Sequence, residues 1–474
     1  MESQSGPQLT EPYATFEPIL GLGLPFKPRT LEAGYLDWPL LPDLFPVNVP
    51  GVNTSRDLDI VSVDLEPLQR RMAAFFDANL SDEAVRRVAP SLMAPSGRYN
   101  PLATRQHLLR RGLDSGFFVR YEYRPFDTRH VYWHPETKLI DEKREDLFAG
   151  FQADNLFLTS RQKSERQNEG TPFYVTRHLP DRHLTRPGSA CFPLTLAGFP
   201  AAGNTLFTDE GNDAGLKANL SERARLYLAS LGVPDPDLDE TTAGLLWMHA
   251  LAIGVSRAYL SENAGALWQD WPRIPLPDNL EALQASAALG RQVADLLDLE
   301  TPVSGVTSGT IRPELRAIAV ISRAGGGALN PEAGDLAVTA GWGHAGSGGV
   351  TMPARGRLVE RDYTPEEQAA SGEMATVLGE RTADVYLNES AYWRNVPSRV
   401  WGYSIGGYQV LKKWLSYREK PLLGCALTEQ EARTVSHIAR RLAALILMGS
   451  ALDINYAAVK AVAKGRMEKP DAGL

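Results

Sequence analysis

The hydrophobic pattern changes its period along the chain, and this change narrows the possible folds more than any other feature. Residues 117–124 are rich in aromatic and β-favouring side chains and partly alternate in polarity, which predicts a strand. Residues 241–260, 280–299 and 428–448 instead carry apolar side chains at helical spacing. We therefore expect a mixed α/β (α+β) fold, with an irregular sheet and flanking helices.

Shorter segments extend this outline. Thr428, with Glu431 three residues later, predicts a capping box at the start of the last long helix. Helices are also predicted at residues 65–79, 81–89, 137–148 and 409–419. Further strands are predicted at residues 131–133, 155–159, 318–322, 357–359, 383–387 and 401–405.

Proline shapes the beginning of the chain. Residues 1–60 are rich in proline and poor in helical periodicity, so we expect an extended lead-in that needs another surface to pack on. The predicted organisation is a lead-in and helical connector over residues 1–105 and one large domain over 106–457. That domain includes a helical sub-region at about 220–300, and a tail follows at 458–474.

Composition limits the cellular setting and the kind of site. The two cysteines, Cys191 and Cys425, are too few for a disulfide framework or a four-thiolate zinc site, which favours a reducing cytoplasm. Residues 1–17 lack a basic segment followed by an apolar one, so no signal peptide is expected. No run of 18 apolar residues occurs, so no membrane contact is expected.

A search for catalytic motifs finds none that fits. There is no phosphate-binding G-x-x-x-x-G-K-[ST] loop, no H-E-x-x-H and no paired C-x-x-C. The Asn/Asp-Pro-Pro-aromatic loop of adenine amino-methyltransferases is not matched at residues 100–102 or 330–332. His130 and His134 are four residues apart, but Pro135 argues against a helix that would make them metal ligands. We predict no catalytic, cofactor or metal site in this chain.

Two basic segments are more informative. The chain has a net charge of −8, yet residues 101–190 hold 15 Lys/Arg and 12 Asp/Glu, a net charge of +3 that leaves −11 for the rest. Arginine, lysine, tyrosine and histidine are the residue types that contact phosphates and base edges. A solvated loop with scattered charge is the alternative interpretation of residues 101–190.

The second basic segment is the predicted helix at residues 409–419. Its helical spacing predicts a buried stripe of Val410, Leu411, Trp414 and Leu415. The opposite face would carry Gln409, Lys412, Lys413, Ser416 and Lys420. The free N–H groups that follow Gly406 and Gly407, at the start of this helix, could hold a phosphate. An ordinary amphipathic surface helix is the alternative.

These segments resemble a known family. Residues 401–418, reading WGYSIGGYQVLKKWLSYR, are similar to a motif in the C-terminal specificity regions of Type ISP restriction–modification enzymes. Those enzymes join nuclease, translocase, adenine methyltransferase and target-recognition domains in one chain. Further similar stretches keep the family's order between residues 40 and 457: residues 45–48, 51, 54–57, 124–129, 132–133, 137–139, 181–183, 192–194, 256–259, 270–275, 385–388, 396–397 and 451–456.

The resemblance implies a function in phage defence. The 106–457 region would be a DNA target-recognition domain that reads a short duplex sequence for an adenine-methylating restriction–modification system. The methyltransferase, translocase and nuclease motifs would belong to another chain or another part of the protein, and S-adenosylmethionine would bind the partner methyltransferase. The expected DNA-binding residues are Arg124, Arg129, Lys138, Lys143, Arg144, Arg161, Lys163, Arg182, Tyr408, Lys412, Lys413 and Arg418.

Alternatives remain open. Arg124 and Arg129 would contact DNA or brace the interface, whereas an ion pair with Asp127 would make the role purely structural. A scaffold subunit of a defence complex without DNA contact is a second possibility for the whole chain. A hydrolase that uses the glycine-rich middle and His344 is a third, although no nucleophile–base pairing supports it.

Overall fold

The computed structural model describes residues 34–165, 169–186, 188–196, 216–346 and 351–463. Single turns of 3-10 helix lie at Tyr35–Asp37 and Ser115–Phe117. The α-helices are α1 (Leu41–Leu44), α2 (Asp57–Ile60), α3 (Leu65–Phe75), α4 (Asp82–Val88), α5 (Pro101–Arg111), α6 (Glu145–Gln152), α7 (Glu222–Ser230), α8 (Glu240–Ala243), α9 (Leu245–Val255), α10 (Arg257–Glu262), α11 (Ala264–Leu267), α12 (Leu280–Leu297), α13 (Pro313–Arg316), α14 (Pro365–Ser371), α15 (Met374–Leu378), α16 (Ser398–Trp401), α17 (Val410–Ser416), α18 (Lys420–Leu423), α19 (Glu429–Leu447) and α20 (Gly449–Ala461).

The strands form several small sheets rather than one large one. They are β1 (Val49–Pro50), β2 (Val61–Ser62), β3 (Phe118–Arg124), β4 (Asp127–Tyr132), β5 (Phe157–Ser160), β6 (Tyr174–Thr176), β7 (Leu179–Pro180), β8 (Ala190–Pro193), β9 (Val320–Arg323), β10 (Gly343–Ala345), β11 (Thr351–Pro353), β12 (Leu358–Arg361), β13 (Thr382–Tyr386), β14 (Ala391–Pro397), β15 (Ser404–Ile405) and β16 (Tyr408–Gln409). Three sheets have four strands each, in the orders β1-β8-β5-β6, β2-β4-β3-β7 and β12-β13-β14-β9. Only β3 and β7 pair in parallel among these described strands. The mixed α/β expectation is confirmed.

Helix α9 lies at the centre of the larger of two hydrophobic clusters. Every residue of α9 is buried, so the helix has no solvent-facing side. It packs closely against α12, where a Cβ at Gly290 would come within 1.9 Å of the Met248 oxygen. Arg441 of α19 is 1% exposed and donates to the backbone carbonyl oxygen of Asp295, near the end of α12, at 2.7 Å. These contacts unite the helical elements in one core.

The second cluster joins the connector helices to a sheet. Residues of α3, α4 and α5 pack against the sheet β2-β4-β3-β7. Arg105 of α5 is 6% exposed, donates to the Phe75 oxygen at 3.0 Å and pairs with Asp82 at 2.8 Å. This one guanidinium therefore ties α3, α4 and α5 together.

The described part of the lead-in packs on the larger cluster of the same chain. Tyr35, Trp38 and Leu41 are buried there. The Leu41 N–H donates to the Pro272 oxygen at 2.9 Å, and the Ile274 N–H donates to the Pro39 oxygen at 2.9 Å. The surface that this segment needs is thus within the chain. Both clusters draw residues from either side of position 105, and the predicted domain boundaries stay predictions.

Several predicted elements are confirmed and three are corrected. The long helix expected at 241–260 is broken at Gly244 and at Ser256 into α8, α9 and α10. At the second break, Ser256 caps α10 by accepting from the Tyr259 N–H at 3.2 Å. The helix expected at 137–148 begins only at Glu145. The strand expected at 401–405 is reduced to β15, since α16 continues to Trp401.

Among the described residues, no single helix has the length and apolar composition needed to cross a membrane. The pair α19 and α20, bent by 41° at their junction, meets both criteria together. Much of α19 packs into the larger cluster, which accounts for its apolar composition.

Candidate nucleic-acid interface

A tight turn and a short helix form the centre of the predicted interface. Gly406 and Gly407 have φ angles of 52° and 83°, a left-handed conformation that favours glycine, and they join β15 to β16. Helix α17 follows directly. Its predicted apolar stripe is buried, as expected: Val410, Leu411, Trp414 and Leu415.

The polar face of α17 differs from the prediction at Ser416. Ser416 is fully buried and donates to the Lys413 oxygen at 2.7 Å, because a serine hydroxyl readily bonds to the preceding turn of its own helix. The N–H groups of Gly406 and Gly407 donate to the backbone carbonyl oxygens of Thr171 and Glu169, respectively, each at 2.8 Å. These two amides are therefore occupied within the chain. Of the N–H groups that follow the turn, that of Val410 donates to the Tyr403 backbone oxygen at 3.1 Å, and phosphate binding by the others stays a prediction.

The two lysines of α17 have different surroundings. The Lys413 ammonium lies 4.4 Å from the ring centre of Tyr417 and 5.6 Å from that of Tyr408, within cation–π distance of both. Burial lowers the pKa of Lys413. Lys412 is half-buried and lines a cavity instead. Only Lys413 is therefore held against aromatic rings.

The β3–β4 hairpin contributes two more of the predicted arginines. Arg124 is buried and pairs with Asp181 at 2.7 Å. The guanidinium of Arg129 donates twice to one Asp127 oxygen, at 3.1 and 2.7 Å, so the predicted alternative of an ion pair with Asp127 is confirmed for this residue. Both guanidinium carbons lie 4.0 Å from the Tyr123 ring centre.

Arg418 connects this hairpin to α17. Its guanidinium is 3% exposed, lies 2.7 Å from Asp127 and stacks 4.3 Å from the Trp414 ring centre. Burial alone would raise the pKa of Asp127, but the charges of Arg129 and Arg418 lower it to about 2. The carboxylate is thus the shared anion of two arginines from separate elements. We name the assembly around it the tyrosine–cation cluster: Tyr123, Tyr408, Tyr417, Arg124, Arg129, Lys413 and Arg418.

Most of the other predicted contact residues are engaged by groups of the chain. Arg144 and Arg182 both pair with Glu142, the latter at 2.6 Å. Buried Arg161 pairs with Glu169. Lys143 lies 3.1 Å from Glu145, Lys138 donates to the backbone oxygen of Asp141 at 2.9 Å, and Lys163 is exposed. Direct DNA contact by any of the predicted residues stays a prediction.

Sequence reasoning missed a basic cavity of about 720 Å³ beside α17. Arg355, Arg357 and Lys412 supply its positive charge, and Trp401 and Leu358 supply its apolar lining. The Arg-Gly-Arg tripeptide at 355–357 is the signal that could have found it, because two like charges flank a residue with free backbone geometry.

No group of three or more histidine, cysteine, aspartate or glutamate residues within the described ranges could hold a metal ion. His130 lies on β4, which confirms that it and His134 do not share a helix. His249 is fully buried between Ser286 at 2.7 Å and the Pro275 oxygen at 2.8 Å. Burial lowers its pKa to about 4, so this imidazole is a neutral structural group.

Comparison with solved structures identifies proteins of similar fold. A nuclease-deletion mutant of the Type ISP restriction–modification enzyme LlaGI, in complex with a DNA substrate mimic, shares 14% identity at a TM-score of 0.51. The DrdV–DNA complex shares 17% at 0.51, and the ATP-dependent Type ISP enzyme LlaBIII bound to DNA shares 14% at 0.50. The similarity covers 93%, 91% and 92% of this chain but only 35%, 36% and 25% of the respective neighbours.

No curated protein sequence matches the chain significantly. The sequence model of the Type ISP C-terminal specificity domain, by contrast, matches residues 43–441. This match includes the β3–β4 hairpin, the basic cavity and α17, and it spans most of the chain. The chain therefore belongs to the family of Type ISP C-terminal specificity domains.

Proposed function

We propose that this chain recognises a short target sequence in duplex DNA for a restriction–modification system. The family match over residues 43–441 is the observation that carries the proposal. The three neighbours of similar fold are DNA-bound enzymes, which supports DNA as the ligand. The nuclease, translocase and methyltransferase functions of such enzymes would be supplied outside these 474 residues.

The tyrosine–cation cluster supports this function on physical grounds. Tyr408, Tyr417 and Lys413 are each partly exposed, so the cluster reaches the surface. A positive group that aromatic rings already hold in place loses little side-chain entropy on binding. Such groups suit phosphate contacts that fix the position of the protein along the DNA. The buried arginines Arg124 and Arg418 would brace this surface rather than contact DNA themselves.

The finer part of the proposal concerns the modification chemistry. The target base would be an adenine that leaves the duplex and enters the pocket of a partner methyltransferase. S-adenosylmethionine would bind that partner. This chain would contribute phosphate contacts for salt-dependent affinity and base-edge contacts in the major groove for specificity.

A salt titration of the full chain tests DNA binding. Wild type should bind a mixed pool of labelled duplexes, with log affinity falling linearly against log salt. Each phosphate neutralised contributes about 0.9 to that slope, so Lys412→Ala with Lys413→Ala should flatten it by up to about 1.8. Cognate and random duplexes should weaken by similar factors, because phosphate carries no sequence information.

Lys217→Ala is the matched control, since this lysine is exposed and lies outside the predicted sites. It should leave the slope unchanged. A wild-type chain that binds no duplex even at low salt would contradict the proposal and favour a scaffold subunit. A double variant that loses sequence preference but keeps the wild-type slope would instead show that these lysines read bases.

A further inference from the structure

The backbone of Gly356, which lines the basic cavity beside α17, packs tightly against a tryptophan ring. Gly356 has a φ angle of 65°, and a Cβ there would come within 2.0 Å of the Trp342 ring. Trp342 is fully buried, and its indole N–H donates to the backbone carbonyl oxygen of Tyr386 at 2.8 Å. The Gly356 N–H donates to the Gly341 oxygen at 2.9 Å. The backbone is therefore fixed against a rigid ring between Arg355 and Arg357.

The two arginines differ in how they are held. The Arg357 guanidinium lies 4.1 Å from the ring centre of Tyr386, which in turn stacks on Tyr392 at 5.0 Å. Arg355 is exposed. Within the described ranges, no carboxylate lies at ion-pair distance from Arg355, Arg357 or Lys412. Their charges are therefore not neutralised by this part of the chain, unlike those of Arg124, Arg129 and Arg418.

The remaining lining fits a polyanion with an apolar component. Glu360 is the one carboxylate on this cavity, and it already faces Arg381 at 3.5 Å. Trp401 is half-buried, and its ring centre lies 5.2 Å from that of Trp342, so the two indoles pack against each other. A second cavity of about 420 Å³ shares Leu358, Glu360 and Trp401 with the first. The two cavities are therefore neighbours that share one wall, and the second adds Glu380, Arg381 and Arg399 to the lining. We call the pair the groove.

We infer that this groove, which we name the Arg-Gly-Arg groove, binds the sugar–phosphate backbone of the DNA. The inference rests on the proposed function and deepens it by assigning a second contact region next to the tyrosine–cation cluster. Arg355, Arg357 and Lys412 neutralise successive phosphates, since guanidinium groups match phosphate geometry. Trp401 packs against the apolar face of a sugar or base between them. Lys412 is common to the groove and α17, so one strand can follow both.

Removing the two arginines tests the assignment. In the full chain, Arg355→Ala with Arg357→Ala should lower the slope of log affinity against log salt by up to about 1.8. Between 50 and 200 mM salt, the wild type should then lose about tenfold more affinity than the variant. Cognate and random duplexes should weaken by similar factors. Arg110→Ala with Arg316→Ala, two exposed arginines that line neither cavity, is the control and should behave like wild type.

A second measurement locates the DNA directly. Cys191 is buried and Cys425 is exposed, so Cys425→Ser gives a background in which one new cysteine can be labelled selectively. An iron chelate attached through Arg355→Cys should cut bound duplex at a few adjacent nucleotides. The same chelate attached through Arg110→Cys should not cut at those positions.

The outcomes separate the two proposals. If the wild-type chain binds duplex DNA but the arginine variant keeps its slope and no local cutting occurs, the groove assignment is wrong and the proposed function stands. If the wild-type chain binds no duplex, both are wrong. Thermal unfolding of each variant shows whether a loss of binding reflects loss of the fold.

Discussion

Asp127 is the anion on which the interface depends, and Asp127→Asn is the most informative single substitution. The carboxylate is 1% exposed and pairs with Arg129 and Arg418, each at 2.7 Å. Asparagine keeps the shape but removes the charge, so two poorly exposed arginines lose their shared partner. Breaking a buried pair from one side costs about 3–5 kcal/mol, because the remaining charge is left uncompensated.

The pKa of Asp127 gives an independent magnitude. It falls from an ordinary 3.8 to about 2, a difference that corresponds to about 2–3 kcal/mol of stability at neutral pH. For a carboxyl group with a lowered pKa, that stability is present above the unfolded value and is lost as the pH falls through the folded one. The wild type should therefore lose it between about pH 4 and pH 2. Both magnitudes place the expected loss in Asp127→Asn near 3 kcal/mol.

Urea unfolding at pH 7, followed by tryptophan fluorescence, measures this loss. Asp362→Asn makes the same chemical change at a carboxylate whose side chain is 91% exposed, 3.4 Å from Arg381, and should cost about 0–1 kcal/mol. Arg418→Met should cost less than Asp127→Asn, because Asp127 keeps Arg129. A loss below about 1 kcal/mol in Asp127→Asn, or an unchanged acid response, would refute the role of the shared anion.

The remaining predictions concern two other side chains, Glu122 and Arg124, and methyl transfer by the whole chain. Glu122 is 3% exposed, its carboxyl accepts from surrounding hydroxyl donors, and burial raises its pKa to about 8. Its contribution to stability should therefore fall as the pH rises through about 8. Glu122→Gln should remove this dependence in unfolding measurements from pH 5 to 9. Arg124→Ala leaves Asp181, 3% exposed, without its arginine, so unfolding should show a loss of about 3–5 kcal/mol and not merely weaker DNA binding. The purified chain should transfer no methyl group from labelled S-adenosylmethionine to mixed-sequence duplex DNA; incorporation above background would contradict the assignment of that chemistry to a partner.

The sequence predicts the parts of this fold that depend on local pattern. The apolar stripe of α17 and the capping box at Thr428 follow from spacing alone, and both are confirmed. The break at Ser256 could not be found in this way, because its hydroxyl also bonds to Asp453, 197 residues away. A helix boundary set by such a long-range contact leaves only a weak local signal.

The candidate interface shows the same division. The two predicted basic segments, residues 101–190 and 409–419, meet around Asp127 in the folded chain, but charge and residue type could not show which of their cations pair with carboxylates. Arg418 and Asp127 are far apart in sequence, and only the folded chain brings them to 2.7 Å. Arg355 and Arg357 were overlooked because their surroundings, including Trp342 and Trp401, come from separate elements.

Selection from a randomised duplex pool tests the central claim most directly. The full chain is incubated with the pool near physiological salt, bound duplexes are recovered over several rounds, and the affinities of enriched and scrambled sequences are compared. The account predicts one short enriched motif, in which each mismatched base pair costs about 1–3 kcal/mol. Enrichment of no motif, with equal affinity for all duplexes, would contradict target recognition by this chain.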